Sequence, residues 1–304
     1  MDLYLPIANL PVNVLFIIGL GGVVGLLSGM FGVGGGFLTT PLLIFYGIPP
    51  TVAAASAATQ VTGASVSAVV SHLGRKTVDI RMGAVLVAGG TIGAVIGAAL
   101  FNLLQAVGQI DTVIGILYVV MLTSIGGLMA SESVQTLVRS RRGAPPPARK
   151  RRHHPLVAAL PMRWRFYKSG LYISPIAPLL LGVVTGILTM LLGVGGGFIM
   201  VPAMLYLLGM QAQVVVGTSL FQILFVTMAT TLVHSMTTKA VDLVLAILLL
   251  IGSVAGAQLG TRVARRARPE YLRMVLAFIV LVIAIRMALG LGWKPDEIYS
   301  IEMG

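Results

Sequence analysis

Four glycines fall within five positions at Gly32, Gly34, Gly35 and Gly36, and Gly193, Gly195, Gly196 and Gly197 repeat them far along the chain. Each run parts two apolar stretches, in "GMFGVGGGFLTTP" and in "TMLLGVGGGFIMVP". Glycine is a poor helix former, so the runs predict helices broken at two places. A helix restarting at Phe37 or Phe198 presents N–H groups without intrahelical partners at the positive end of its dipole, and that combination binds anions. Glycine supplies the positive φ and close approach that a nest of N–H groups needs. Two such ends facing one another would hold one oxyanion. The competing use of the same glycines is helix–helix contact, where small residues let backbones touch.

Downstream of each run lies an apolar stretch carrying hydroxyls and amides: Ser56, Thr59, Gln60 and Thr62 in one, Thr218, Ser219 and Gln222 in the other. Ser56 and Gln60 are four apart, as are Thr218 and Gln222, so each pair shares a helix face. Such groups suit an oxyanion without a permanent counter-charge; interhelical hydrogen bonding is the plainer use. His72 and His234 close these stretches beside charged loops, where a gate or proton-carrying role competes with simple snorkelling at the interface.

Other chemistries fit less well. Ser219 and His234 lie on one expected helix, about 22 Å apart by helix rise, too far for a nucleophile and its base. Neither glycine run ends in Gly-Lys-Ser/Thr, and Phe37 and Phe198 take the last place of a G-x-G-x-x-G pattern, so no nucleotide loop is present. Metal transport would call for His, Met or carboxylates inside the bundle, yet Asp79, Asp111, Glu132 and Asp242 all fall at expected span ends and Arg286 is the one charge inside a late span. No metal site and no cofactor is expected. The chain has no cysteine, which removes disulfides and thiolate ligands.

The elements that position these residues must be membrane helices. Of 304 residues, 57% are hydrophobic and only 10% charged, against about a quarter charged in soluble domains. Apolar stretches near the ~20 residues needed to cross a bilayer run almost end to end, without the alternation of a β-barrel. The expected spans are 12–31, a short piece near 37–47, then 51–72, 82–104 and 112–130; in the second half they are 173–192, 198–208, 212–234, 243–263 and 271–291. The short pieces either cross or re-enter. The N-terminus lacks the basic region and cleavage site of a signal peptide. The net charge of +12 follows from basic loops in a membrane protein, not from nucleic-acid binding; anionic lipid is the expected surface partner.

The two halves align. Gly32–Phe37 matches Gly193–Phe198 and Pro41 matches Pro202; Ser56, Gln60 and His72 match Thr218, Gln222 and His234; Asp79 matches Asp242; Gly89, Gly93 and Gly97 match Gly252, Gly256 and Gly260. The last series is read as a small-residue packing stripe. The expected organisation is a first membrane repeat at 1–130, a basic Pro/Arg-rich mobile linker at 131–170 and a second repeat at 171–304. The loop "HLGRKTVDIR" is basic while its counterpart "HSMTTKAVD" has one lysine; "NLLQAVGQID" has no basic residue while "TRVARRARPEYLR" is rich in arginine. The bias swaps between halves, so the positive-inside rule sets them in opposite orientations, with the linker cytoplasmic and both termini periplasmic. The fold class is therefore an all-α integral membrane bundle of two inverted-topology repeats, a hallmark of secondary transporters whose substrates sit at broken helices.

"GVGGGFLTTPLL" and "GVGGGFIMVPAML", with the Ser/Thr–Gln helices and the basic central loop, resemble the sulfite exporter TauE/SafE family of bacterial permeases across roughly residues 12–291. The resemblance implies export of small sulfur-containing oxyanions, sulfite or organosulfonates, across the inner membrane. A carrier for a carboxylate or metal ion is the alternative within transport; a membrane sensor that moves nothing is the alternative outside it.

Overall fold

The computed structural model describes residues 2–31, 34–141, 164–266 and 269–292. Each half opens with a two-stranded antiparallel hairpin: β1 (Asp2–Leu5) with β2 (Leu10–Asn13), and β3 (Trp164–Phe166) with β4 (Leu171–Ile173). Five helices follow in the first half: α1 (Val14–Phe31), α2 (Gly36–Phe45), α3 (Pro50–Gly74), α4 (Ile80–Ala106) and α5 (Ile110–Arg141). Five follow in the second: α6 (Ile176–Leu192), α7 (Gly197–Tyr206), α8 (Ala212–Met236), α9 (Leu243–Arg266) and α10 (Pro269–Gly292). Among the described residues, α3, α4, α5, α8, α9 and α10 contain the stretches long and apolar enough to cross a membrane. Large apolar side chains such as Leu15, Val120, Phe278 and Ile285 point outward, where lipid is the solvent that accepts them. The protein is an all-α polytopic membrane protein.

The short pieces are too short to cross as straight helices. Helices α2 and α7 have 10 residues each, about 15 Å of rise against a ~30 Å hydrocarbon core. After the break, α2 runs back along α1: a Cβ placed on Gly35 would lie 3.0 Å from Val24 Cγ1. At its far end the Tyr46 hydroxyl accepts from Asn13 N–H at 3.3 Å and the ring stacks on Phe16. In the second half Gly196 stands the same way beside Thr185 and Thr189 of α6.

The halves interlock. Helix α1 packs along α9, α4 along α6, α5 along α10, and α3 along α8. The glycine stripes make two of these contacts possible. A Cβ on Gly252, Gly256 or Gly260 would come within 2.0–2.1 Å of the carbonyls of Ile18, Gly22 and Leu26; one on Gly89 or Gly93 would come within 2.1–2.2 Å of those of Leu179 and Val183. The equivalent helices α3 and α8 run antiparallel, since Thr59 bonds Thr231 while Thr62 bonds Thr227. So do α5 and α10, where Gly115 meets Leu291 and Gly126 meets Val280.

The hairpins differ from expectation. The segment read as a linker over 131–170 is entered by α5 as far as Arg141 and left by β3 at Trp164, with Phe166 and Ser169 buried. Gly32, expected at the site, lies outside the described residues. The hairpins were hidden because strands of three or four residues are too short to display a period of two. Each grips the other half. Ser169 donates to Asp79 Oδ2 from its N–H (2.9 Å) and its hydroxyl (2.6 Å), and Ile7 N–H donates to Asp242 Oδ2 at 3.3 Å. The second oxygens of Asp79 and Asp242 cap α4 and α9 through Met82 N–H and Leu245 N–H.

Candidate substrate site

The two breaks meet. Phe37 and Phe198, each in the first turn of its helix, stack with ring centroids 4.3 Å apart and planes 4° from parallel. A Cβ on Gly36 would lie 2.8 Å from the carbonyl oxygen of Gly193 and 2.9 Å from that of Val194. In the second run Gly193, Gly195 and Gly196 all take positive φ, at 70°, 74° and 72°. In the first run Gly34 does so at 78°, while Gly35 is right-handed at −69°. The runs are alike in sequence and unlike in backbone. Gly197 and Phe198 stand in the first turn of α7, where no carbonyl four residues earlier in the helix accepts from their N–H groups.

The broken end of α6 is tied off by side chains. Its last carbonyls lack intrahelical donors, and in hydrocarbon each such group costs several kcal/mol, roughly, if left alone. Leu192 O accepts from Thr40 Oγ1 at 3.1 Å and from the Tyr118 hydroxyl, and Met190 O accepts from His234 Nε2 at 2.9 Å. His234 is fully buried and edge-on to Phe101, with Nδ1 3.1 Å from Thr238 Oγ1. Among the described residues His72 makes only the corresponding bond, Nδ1 to Thr77 Oγ1 at 2.9 Å, and it is partly exposed. The two histidines expected to be equivalent therefore differ among the described residues: His234 holds the break, and His72 bonds only Thr77.

The remaining polar residues divide into three uses. Ser56 and Thr218, expected at the substrate, hold cross-half caps: Ser56 Oγ accepts from Asp242 N–H at 3.1 Å and Thr218 Oγ1 from Asp79 N–H at 3.0 Å. Thr59 bonds Thr231 across α3 and α8, and Ser219 bonds back to Val216 O. Gln60 reaches the first break: its Oε1 accepts from Thr39 Oγ1 at 2.9 Å, and its Nε2 lies 3.8 Å from a Cβ placed on Gly35. Gln222 is fully buried, and neither its Oε1 nor its Nε2 has a hydrogen-bond partner among the described residues. Sequence reading missed Thr39, whose hydroxyl serves the Gln60 side chain, and Thr40 and Tyr118, whose hydroxyls serve the backbone carbonyl of Leu192, remote in sequence. Arg286, the charge inside a late span, lies over the Phe45 ring at 5.1 Å.

Six apolar helices of spanning length among the described residues, two short helices and a pair of breaks meeting inside the bundle are the frame of a polytopic membrane protein of the solute-transporter kind. The profile of the family described as "Sulfite exporter TauE/SafE" matches residues 17–287, and the chain belongs to that family. It is similar to the "Probable membrane transporter protein YjnA" of Bacillus subtilis, 29% identical over 264 residues that cover 87% of this chain and 95% of the relative. It is 28% identical to a "Probable membrane transporter protein" of Xylella fastidiosa over 88% of this chain and 92% of the relative. The "Sulfite exporter TauE/SafE family protein 3" of Arabidopsis thaliana is 33% identical over 96 residues, 31% of this chain and 20% of that protein. No solved structure matches. The chain is a membrane transporter of the TauE/SafE family.

Proposed function

We propose that this transporter exports a small sulfur-containing oxyanion, sulfite or an organosulfonate, across the bacterial inner membrane. The observation that carries the reading is the meeting of the two breaks at the Phe37–Phe198 stack. It brings the positive ends of α2 and α7 and the left-handed glycines of the second run to one region inside the bundle. The antiparallel run of the equivalent helices α3 and α8 supports inverted-topology repeats. With the charge bias of the loops, this supports a cytoplasmic linker and periplasmic termini. Alternating access would then move bodies built across the halves, α1 with α9 against α4 with α6. The sulfur in the reading comes from the family's description and from the printed name of the plant relative.

An anion leaving an inside-negative cell gains about 2.3 kcal/mol per charge per 100 mV, so export needs no coupling ion. The test is flux of radiolabelled sulfite from proteoliposomes holding the purified protein, with potential and pH gradient set separately by ionophores. Outward flux that rises with inside-negative potential is expected. A protein that binds sulfite and moves none is a sensor. One that moves carboxylates or metal ions in preference leaves the transport class intact and removes the oxyanion.

A further inference from the structure

Gln60 and Gln222 occupy equivalent places in the two halves, yet their carboxamides have different surroundings. Gln60 is held by the Thr39 hydroxyl at 2.9 Å. The residue equivalent to Thr39 in the second half is Met200, which offers no hydroxyl, and among the described residues nothing bonds to Gln222 Oε1 or Nε2. A buried amide without partners costs desolvation free energy, and because both of its atoms are unbonded, exchanging them by a flip would change nothing.

The amide also lies against a glycine. Gln222 Nε2 lies 3.3 Å from where a Cβ on Gly90 would sit, so the amide faces bare backbone of α4. Gln222, Val226, Thr230 and His234 follow one another every four residues on a single buried face of α8. Thr230 Oγ1 is buried and unbonded as well; its equivalent in the first half is Ala68. The face ends at His234, already bonded to Met190 O at the break. Three polar atoms on one face therefore lack partners among the described residues, whereas in the first half Gln60 Oε1 has one and Ala68 stands in the place of Thr230.

We propose that the solute is bound on one side only, by the Gln222 carboxamide, while Gln60 is structural. A carboxamide offers two N–H donors and one acceptor. A ligand that only accepts would leave Oε1 unsatisfied. The solute therefore carries a donor as well as acceptor oxygens: a singly protonated oxyanion, or a sulfonate bearing a hydroxyl. Gln222 is the specificity-determining residue for that donor. This rests on the oxyanion reading above; the stability arm of the test does not.

The test uses the full-length protein and the variants Gln222→Leu, Gln60→Leu and Met200→Thr. Without solute, Gln222→Leu melts above the parent, because an unbonded amide leaves the interior, and Gln60→Leu melts below it. In proteoliposomes, Gln222→Leu lowers sulfite flux by about tenfold or more, the worth of a hydrogen bond to a charged group. Met200→Thr, which rebuilds the Thr39 arrangement, lowers it too. Isethionate inhibits parental sulfite flux at roughly tenfold lower concentration than ethanesulfonate, which lacks the hydroxyl, and Gln222→Leu erases that preference. Parental flux in Gln222→Leu overturns the proposal. So does its failure to fold or its melting below the parent, since the amide would then be serving the fold. A parental protein that moves neither sulfite nor sulfonate, with the melting order as stated, removes the oxyanion and leaves the one-sided site standing.

Discussion

His234 donates from Nε2 to the carbonyl of Met190 across 2.9 Å, tying α8 to the last turn of α6. His234→Phe keeps a ring against Phe101 and removes the donor. The Met190 carbonyl is then buried without that partner, at a cost of about 1–3 kcal/mol. His72→Phe loses one partly exposed bond to Thr77 and should sit within about 0.5 kcal/mol of the parent. Thermal unfolding in detergent compares the pair; equal shifts would mean that the Met190 contact contributes nothing.

Two left-handed glycines should respond to the same substitution differently. At Gly193 (φ 70°) a Cβ would lie 2.0 Å from the backbone oxygen of Ala54; at Gly34 (φ 78°) the nearest contact is a flexible Ile223 methyl at 3.7 Å. Gly34→Ala bears only the backbone strain, about 1–2 kcal/mol, and remains folded. Gly193→Ala must push α3 aside and should yield little folded protein on size-exclusion chromatography.

The cap residues Asp79 and Asp242 should rank by what they hold. Either change to Ala removes a helix cap worth about 0.5–2 kcal/mol. Asp79→Ala also strips both donors of the buried Ser169, whereas Asp242→Ala frees only Ile7 N–H. Asp79→Ala should lose about 1 kcal/mol more in melting experiments, and Ser169→Ala should recover part of the Asp79→Ala deficit when the two are combined.

The Thr62 and Thr227 hydroxyls are 2.8 Å apart across α3 and α8. Thr62→Cys with Thr227→Cys, in a chain with no other cysteine, should form a disulfide on mild oxidation. Trypsin cleavage among the linker arginines then leaves two fragments joined until reduced. Fragments that part without reductant would show that these helices are not neighbours at this level.

Orientation is read by single cysteines. An impermeant maleimide added outside intact cells should label Asp296→Cys and spare Ser140→Cys until the membrane is opened. The reverse pattern inverts the assignment from loop charge.

The breaks, the span order and the packing stripes were legible because the chain states each of them twice: Gly32–Phe37 and Gly193–Phe198 for the breaks, Gly89/Gly93/Gly97 and Gly252/Gly256/Gly260 for the stripes. The polar residues were legible as polar and not by use. Ser56 and Thr218 look like ligands along their own helices. Their partners are the backbone N–H groups of Asp242 and Asp79, 186 and 139 residues away, and no local pattern encodes such a distance. The difference between Gln60 and Gln222 was present in the sequence as Thr39 against Met200, but it acquires meaning only once Thr39 is seen to bond Gln60.

The reciprocal packing has a consequence for biosynthesis. Helix α1 finds its partner in α9 and α4 finds its own in α6, so the first half leaves the ribosome with glycine-lined faces that no earlier segment can cover. Those faces must stay unpaired in the lipid, or be held by an insertion factor, until translation has passed the linker. Truncation at the linker should therefore leave an incomplete unit prone to degradation, and the two halves expressed as separate chains should accumulate only when made together.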